Sequence, residues 1–364
     1  MKATQQLHNL GQSLWLDNIT RDILNNGTLK KYIEKLSVTG LTSNPTIFQQ
    51  AIKNSPSYDD GIREAMKKGL KGEDLFFELA LEDLTKAADL FRPIYDKTHG
   101  LDGWVSLEVS PLLAYDTATT TKVAKELHEK AGRPNLFIKI PGTKEGLPAI
   151  EESIFAGVPV NVTLLFSCEQ YLAAAEAYLR GIERRIEAGL SAWVPSVASV
   201  FISRWDVAVA SHVPENLVNK LGLAVGEECY KAYSALINSP RYLKILNSGA
   251  SVQRLLFAST GTKDPKAPDT LYISGLAAPF TINTMPEKTL LAFDDHGQVN
   301  TSIHTDGGSS SETLAAFTQA GIDLKTLAAT LQKEGADSFV ASWNDLMKVI
   351  DSKSETIALI RNFF

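Results

Sequence analysis

The sequence predicts an α/β fold of the (β/α)8 barrel type, with additional helices after the second strand and at the C-terminus. Eight apolar, strand-like runs alternate with helical stretches along the 364 residues. Each run ends in a polar residue just before a turn or helix signal, and a barrel of this type carries its reactive groups at those strand ends. A doubly wound open sheet shares the alternation, but no glycine-rich dinucleotide fingerprint follows any strand.

The predicted strands are short, and the sequence indicates some of them more clearly than others. They are residues 14–17, 38–41, 104–108, 136–140, 158–163, 193–199, 255–259 and 278–283. The eighth is the weakest because it contains Pro279. Side chains alternate along a strand, so Phe137 and Lys139 share one face of the fourth strand. By the same rule, Asn161 and Thr163 share one face of the fifth.

The segments between the strands show the periodicity of amphipathic helices. It is clearest at residues 72–92, 169–188 and 217–237. Residues 44–98 are too many for one loop, so we expect several helices there beyond the basic barrel. We expect Ser167 to cap the helix at 169–188.

The C-terminal segment, about residues 286–364, is expected to be a mainly helical extension that closes the barrel from outside. We therefore predict one domain over residues 1–364. The Gly-Gly pair at 307–308 resembles a phosphate loop. Because Ser309 and Glu312 form a capping-box pattern before an apolar run, we favour a helix start there.

Composition narrows the class of protein. The net charge of -6 is spread along the chain without a basic stripe, which argues against nucleic-acid binding. No stretch approaches the length of a membrane span, and the N-terminus has no apolar signal core, so we expect a cytoplasmic protein without a membrane partner. The two cysteines, Cys168 and Cys229, suit a reducing compartment.

No metal or cofactor is expected. The six histidines show no helical pair spacing, and none ends a predicted strand. The segment Thr260–Lys263 lacks the upstream glycine spacing of a nucleotide-binding loop. The sequence leaves the oligomeric state open between a monomer and a homodimer.

Lys139 is the candidate nucleophile. It interrupts an apolar run that ends in a Pro-Gly turn. Apolar neighbours disfavour an ammonium ion, and a free amine in a cleft can attack a ketone to form a Schiff base. For a lone lysine, a solvent-facing place on an edge strand is the simpler interpretation. Lys139 is accompanied by polar residues at the other strand ends, which favours the chemical role.

Six motifs in this order resemble the transaldolase family of Schiff-base (class I) aldolases, and are nearest to its long bacterial form. They are Trp15–Asp17, Thr42–Thr46, Ser106–Ser110, Phe137–Pro141, Asn161–Ser167 and Ser199–Arg204. From residue 250 onward the resemblance is looser and rests on residues 258–263 and 283–286.

The resemblance implies a transferase of the non-oxidative pentose phosphate pathway. Such an enzyme moves a dihydroxyacetone unit from sedoheptulose 7-phosphate or fructose 6-phosphate to glyceraldehyde 3-phosphate or erythrose 4-phosphate. Its partners are therefore small sugar phosphates.

The resemblance also implies four catalytic residues. Lys139 would form the Schiff base, and Asp17 would take the proton from the hydroxyl beside the bond that breaks. Glu108 and Thr163 would hold the water that shuttles protons while the Schiff base forms. Asp17 is equally suited to cap the helix that follows it, and Glu108 to act as a plain salt-bridge partner of Lys139.

The remaining implied residues bind the substrate. Asn44 and Asn161 would hold the hydroxyls of the dihydroxyacetone unit, although Asn44 is also a good N-cap before Pro45. Ser199 and Arg204 would bind the phosphate, where an arginine offers a fork of donors. An isolated Arg204 would more often be a surface residue, so its assignment depends on the motif around it.

Three positions distinguish this chain within the resemblance. Phe201 stands where aldolases that release free dihydroxyacetone have a proton-donating tyrosine, which favours transfer over cleavage. Val200 stands where many family members have proline. No arginine lies near Ser259–Lys263, where a second phosphate-binding arginine is expected, and Lys263 is the candidate replacement.

Two other functions compete with transfer. One is a Schiff-base aldolase that cleaves its substrate to free products, and Phe201 argues against it. The other is a catalytically silent barrel that acts as a binding protein. The complete set of Lys139, Asp17, Glu108 and Thr163 argues against the second alternative.

Overall fold

The computed structural model describes residues 1–361 and confirms the predicted (β/α)8 barrel. Eight parallel strands pair in chain order, and the eighth pairs with the first to close the barrel. The strands are β1 Ser13–Asp17, β2 Val38–Thr42, β3 Trp104–Glu108, β4 Leu136–Pro141, β5 Val160–Leu165, β6 Ser196–Phe201, β7 Arg254–Ala258 and β8 Ile282–Met285.

Three strands begin later than the sequence predicts, and a proline precedes each of them. Strand β5 starts at Val160 instead of residue 158, β6 at Ser196 instead of 193, and β8 at Ile282 instead of 278. Proline has no N–H to donate to a neighbouring strand, so pairing begins only after Pro159, Pro195 and Pro279. All three strands also extend two residues further than predicted, to Leu165, Phe201 and Met285.

Helices surround the barrel and fill the predicted long insertion. In the described residues they are α1 Ala3–Leu10, α2 Arg21–Asn25, α3 Thr28–Lys35, α4 Pro45–Asn54, α5 Asp59–Lys67, α6 Gly72–Lys97, α7 Thr117–Ala131, α8 Gly146–Phe155, α9 Cys168–Glu187, α10 Ser203–Val209, α11 Leu221–Ile237, α12 Pro240–Asn247, α13 Leu271–Gly275, α14 Glu287–His296, α15 Ser310–Gln319 and α16 Leu324–Arg361. Helices α4, α5 and α6 confirm the expectation for residues 44–98.

Two predicted helix starts have different outcomes. Ser167 caps α9 as expected, because its hydroxyl accepts from the Gln170 N–H at 3.1 Å and the Gln170 side chain completes a capping box. Helix α15 also begins where predicted, but the capping box of Ser309 and Glu312 is wrong. Ser309 has ψ 15° and no side-chain cap bond. An N-cap needs extended backbone to aim its hydroxyl at the first turn.

The side chains inside the barrel are aromatic in one layer and polar in the layer nearer the carboxyl ends of the strands. Trp104 on β3 stacks on Phe137 of β4, with ring centroids 3.9 Å apart. Further along the strands, Glu108 of β3 pairs in register with Lys139 of β4, which pairs with Asn161 of β5. An aromatic layer therefore supports a polar layer near the carboxyl ends of the strands.

Helix α16 crosses those carboxyl ends. The Gln332 side chain donates to the carbonyls of Gly142 and Leu164, each at 3.0 Å, just beyond β4 and within β5. Further along, the Trp343 indole donates to Glu73 at 3.1 Å. The C-terminal extension is mainly helical as predicted, but it lies over the mouth of the barrel as well as outside it.

Gly40 on β2 provides a test of the packing inside the barrel. A Cβ at this position would lie 2.5 Å from the Trp15 indole, which is buried and donates to Asp102 at 2.9 Å. We expect Gly40→Ala to lower the free energy of unfolding by about 1–3 kcal/mol, the usual cost of overpacking. Denaturant titration measures it. The matched test places Gly40→Ala in a Trp15→Phe background, where the cost should shrink. An equal cost in both backgrounds would contradict this packing.

Candidate active site

A cavity of about 120 Å3 opens at the carboxyl ends of the strands. It brings together eight of the ten residues singled out in the sequence: Asp17, Asn44, Lys139, Thr163, Ser199, Phe201, Arg204 and Lys263. The other two, Glu108 and Asn161, lie directly beneath this set and touch Lys139 and Ser199. All ten therefore belong to one region of the barrel.

Lys139 sits among polar groups. Its ammonium nitrogen lies 3.4 Å from a Glu108 carboxylate oxygen and donates to the Ser43 carbonyl at 2.9 Å. Ile138 and Ile140, the apolar neighbours seen in the sequence, are fully buried on the other face of the strand. The apolar flanks therefore anchor the strand, while the amine faces the cavity. The salt-bridge interpretation of Glu108 is confirmed.

Asp17 ends β1 and points toward Lys139. It accepts a hydrogen bond from the Thr42 hydroxyl at 2.8 Å. Its alternative role as a helix cap is wrong, because the next helix is capped by Thr20, whose hydroxyl accepts from Ile23 N–H at 3.1 Å. Burial raises the pKa of Asp17, and the nearby charges of Lys139 and Lys263 and the Thr42 bond only partly oppose this.

Glu108 is the second perturbed carboxyl group. Burial raises its pKa, Lys139 opposes the shift, and the charge of Asp17 adds to it. Carboxyl groups with raised pKa values exchange protons closer to neutral pH, which is what general acid–base catalysis requires. The site thus holds an amine between two carboxyl groups that are suited to proton transfer.

Three buried oxygens near the amine have no hydrogen-bond partner within residues 1–361, although one Glu108 oxygen lies 3.4 Å from the Lys139 nitrogen. They are the Thr163 hydroxyl and both carboxylate oxygens of Glu108. A buried polar atom without a partner costs about 1–3 kcal/mol, so such atoms are rare away from functional sites. These oxygens are therefore well placed to bind a small polar ligand.

The two asparagines are held in different ways. Asn161 donates to the Ser106 hydroxyl at 3.1 Å and accepts from the Ser199 hydroxyl at 2.7 Å, which fixes the orientation of its amide. Asn44 caps α4, with its amide oxygen accepting from Ile47 N–H at 3.0 Å. The cap role of Asn44 is confirmed, and its NH2 group remains available to the cavity it lines.

Two cationic side chains, Arg204 and Lys263, line the cavity. The Arg204 guanidinium is half-buried and lies 5.6 Å from the ring centroid of Phe201 and 6.0 Å from that of Phe339. Burial lowers the pKa of Arg204, partly opposed by the charge of Glu334. Lys263 lines the same cavity and is exposed at its edge. Two cationic side chains at one cavity are suited to an anionic group such as a phosphate.

The cavity also contains residues that the sequence did not single out. The hydroxyls of Thr42 and Thr284 form a hydrogen bond of 2.6 Å beside Asp17. Both threonines lie near the ends of their strands, and this position could have been recognised in the sequence. Ser259 has φ 54° and places its hydroxyl 2.8 Å from that of Ser203. Phe339 comes from α16, far along the chain, and no local pattern marks it.

A second cavity, of about 430 Å3, lies among helices α9, α10, α11, α15 and α16. Its lining is mostly apolar and includes Cys168, Trp205 and Leu324. None of the ten candidate residues reaches it. The smaller cavity is the candidate active site because the reactive groups converge there.

The described part of the chain contains neither a cluster of metal-ligating side chains nor a membrane-spanning helix. No group of three or more His, Cys, Asp or Glu side chains in residues 1–361 is arranged to hold a metal ion. No helix in that range combines the length and apolar character needed to cross a bilayer.

Comparison with known proteins gives consistent matches. A family model described as transaldolase/fructose-6-phosphate aldolase matches residues 14–350. A transaldolase of Arthrobacter sp. (strain FB24) is 44% identical over 353 residues, covering 94% of this chain and 95% of the relative. A transaldolase of Thermobifida fusca (strain YX) is 42% identical, covering 94% and 96%. Transaldolase 2 of Nostoc punctiforme is 38% identical, covering 97% and 98%.

The raised pKa of Asp17 predicts how stability depends on pH. The folded protein holds this proton more tightly than the unfolded chain, so unfolding releases it at pH values between the two pKa values. Stability then falls as the pH rises through that window. Asparagine cannot titrate, so Asp17→Asn should gain free energy of unfolding relative to the parent as the pH rises above about 4.

Denaturant titrations between acidic and neutral pH measure this difference. Asp116 provides a control of opposite sign, because hydrogen bonds from Thr119 lower its pKa. Asp116→Asn should therefore lose stability relative to the parent over the acidic range as the pH rises. A constant difference between Asp17→Asn and the parent would show that burial does not raise the pKa of Asp17.

Proposed function

The chain belongs to the transaldolase/fructose-6-phosphate aldolase family, and we infer that it works as a transaldolase. It is a metal-independent transferase of the pentose phosphate pathway that moves a dihydroxyacetone unit between sugar phosphates through a lysine Schiff base. The observation that carries the assignment of the site is that Lys139 and Asp17 line one cavity and that Glu108 lies 3.4 Å from the Lys139 amine. The roles of individual residues below are proposals.

We propose that Lys139 attacks the ketone carbon of the donor, sedoheptulose 7-phosphate or fructose 6-phosphate. The amine loses a proton, the carbonyl oxygen gains one, and the resulting carbinolamine then loses water to give the Schiff base. Glu108 lies 3.4 Å from the amine and is suited to accept and return these protons. Thr163 and the Glu108 oxygens would hold the water that carries them.

Asp17 would act in the next step. It takes the proton of the hydroxyl beside the scissile carbon–carbon bond, so that an aldehyde leaves and an enamine remains on Lys139. The raised pKa of Asp17 supports this role, because the same carboxyl group must later return the proton to the product. Addition of the acceptor aldehyde, glyceraldehyde 3-phosphate or erythrose 4-phosphate, reverses the step.

Asn44 and Asn161 would bind the hydroxyls of the dihydroxyacetone unit. The hydroxyl of Ser199 already donates to Asn161 at 2.7 Å, so it can only accept from a ligand in this arrangement. We therefore place Ser199 with the asparagines, as a support for Asn161, instead of with the phosphate. Arg204 and Lys263 remain the proposed phosphate contacts.

Phe201 supports transfer over cleavage. Its ring lies in the cavity between Phe166, at 5.3 Å between centroids, and the Arg204 guanidinium. A phenyl ring carries no proton to quench the enamine, so the enamine persists until an acceptor aldehyde arrives. An aldolase that releases free dihydroxyacetone needs a donor at such a place.

We also propose a cytoplasmic enzyme that acts as a monomer or homodimer without a nucleic-acid or membrane partner. The net charge of -6 and the presence of only two cysteines support this proposal.

The Schiff base is tested by borohydride reduction in the presence of fructose 6-phosphate. We expect mass spectrometry to locate a reduced dihydroxyacetone adduct on Lys139, and Lys139→Ala to lose both adduct and activity. Lys144→Ala, which changes an exposed lysine five residues further along, is the control and should retain both. An adduct on another lysine, or an active Lys139→Ala variant, would refute the mechanism.

Asp17→Asn sharpens the same experiment. Without its acid–base group, cleavage should slow by about two to four orders of magnitude. The trapped adduct on Lys139 should then carry the mass of the whole ketose phosphate instead of dihydroxyacetone. If Asp17→Asn gives the dihydroxyacetone adduct at the normal rate, Asp17 takes no part in cleavage.

The phosphate contact is tested with Arg204→Ala. Loss of charged hydrogen bonds should remove on the order of 1.5–3 kcal/mol of binding, a roughly 10- to 150-fold loss of kcat/KM with phosphorylated substrates. Unphosphorylated fructose and glyceraldehyde should react almost as before. Lys263→Ala should behave similarly, and the exposed Lys266→Ala in the same loop is the control. Equal losses with both substrate classes would assign Arg204 to the barrel wall.

A further inference from the structure

Gly335 lies in the interior of the 38-residue helix α16, nearer its start than its end. Glycine is the least favourable helix residue after proline, so a buried glycine in a helix interior calls for a local reason. Gln332, Gly335 and Phe339 are spaced three and four residues apart and therefore share one face of the helix. That face meets the barrel, where Gln332 binds two backbone carbonyls and Phe339 lines the cavity.

The space over Gly335 is occupied by the Leu164 side chain and by the proposed phosphate arginine, Arg204. A Cβ at this position would lie 3.2 Å from an Arg204 guanidinium nitrogen, closer than a methyl group normally approaches. It would also lie 2.9 Å from the Leu164 side chain and 3.5 Å from the Phe166 ring. The helix backbone therefore packs directly against the side of Arg204.

We propose that Gly335 is a positioning residue that sets the direction of Arg204 toward the substrate phosphate. This proposal rests on the phosphate role of Arg204 given above. A glycine allows α16 to approach the strand ends so closely that the guanidinium is held between the helix backbone and the rings of Phe201 and Phe339. Arg204 then has one orientation before substrate arrives.

The surroundings leave few ways to accommodate a side chain at residue 335. Leu164 is fully buried, so moving its side chain would disturb the residues packed around it. Helix α16 cannot move away from the strand ends without breaking the hydrogen bonds from Gln332 to the carbonyls of Gly142 and Leu164. Arg204 is half-buried and has a long side chain, so we expect it to be the group displaced by a methyl group at residue 335.

Gly335→Ala is the direct test. Misplacing a binding group by about 1 Å can cost on the order of 100-fold, so we expect the KM for fructose 6-phosphate to rise roughly ten- to hundred-fold with little change in kcat. The inhibition constant of inorganic phosphate should rise in parallel. Trapping of unphosphorylated dihydroxyacetone on Lys139 by borohydride should be unchanged. Ser338→Ala, at an exposed position of the same helix, is the matched control.

Two further variants separate the possible outcomes. Leu164→Ala combined with Gly335→Ala removes the tightest contact and leaves the one with Arg204 as the closest, so the rise in KM should persist even if the single variant folds poorly. Arg204→Ala reports on the phosphate contact itself. If Arg204→Ala discriminates against phosphorylated substrates and Gly335→Ala does not, the positioning role is overturned while the proposed function stands.

Two other results would also overturn the positioning role of Gly335. If neither variant discriminates, the phosphate role of Arg204 fails and the positioning role fails with it. If dihydroxyacetone trapping falls together with phosphate binding in both Gly335 variants, the glycine supports the barrel in general and the proposal is overturned.

Discussion

The buried ion pair of Lys139 and Glu108 is the interaction on which the site depends. Both side chains are almost fully buried, and the two residues are register partners on neighbouring strands. Burying either charge alone is costly, and removing one partner leaves the other uncompensated. The Ser43 carbonyl supplies a further contact to the amine. Register, strand spacing and the loop after β2 must therefore all be correct before the amine can be held in the barrel.

Residues that stabilise the barrel and residues suited to catalysis lie in different layers along its axis. Trp15, Trp104 and Phe137 are fully buried below the polar layer and provide apolar burial at the amino end of the strands. Above them, burial raises the pKa values of Asp17 and Glu108, which disfavours their charged forms and costs stability. The apolar layer offsets this cost, so that the carboxyl groups can remain where proton transfer needs them.

The long helix α16 makes the C-terminal segment part of the active site. It is tied to the strand ends by Gln332, contributes Phe339 to the cavity wall and packs its backbone at Gly335 beside Arg204. The wall that faces the proposed phosphate thus combines β6, the start of α10 and a helix more than a hundred residues further along the chain. Its shape depends on helix packing as well as on the barrel.

The sequence by itself determined the alternation of strands and helices, and the polar residues at strand ends. Those ends converge in any parallel barrel, so Asp17, Lys139 and Thr163 were predictable as neighbours. Three strands begin later than the sequence predicted because prolines before them cannot donate a backbone hydrogen bond. Ser309 forms no cap bond because its backbone is not extended. Only the tertiary structure decided that Ser199 donates to Asn161 and that Phe339 enters the cavity, because such contacts join segments distant in the chain and leave no local pattern.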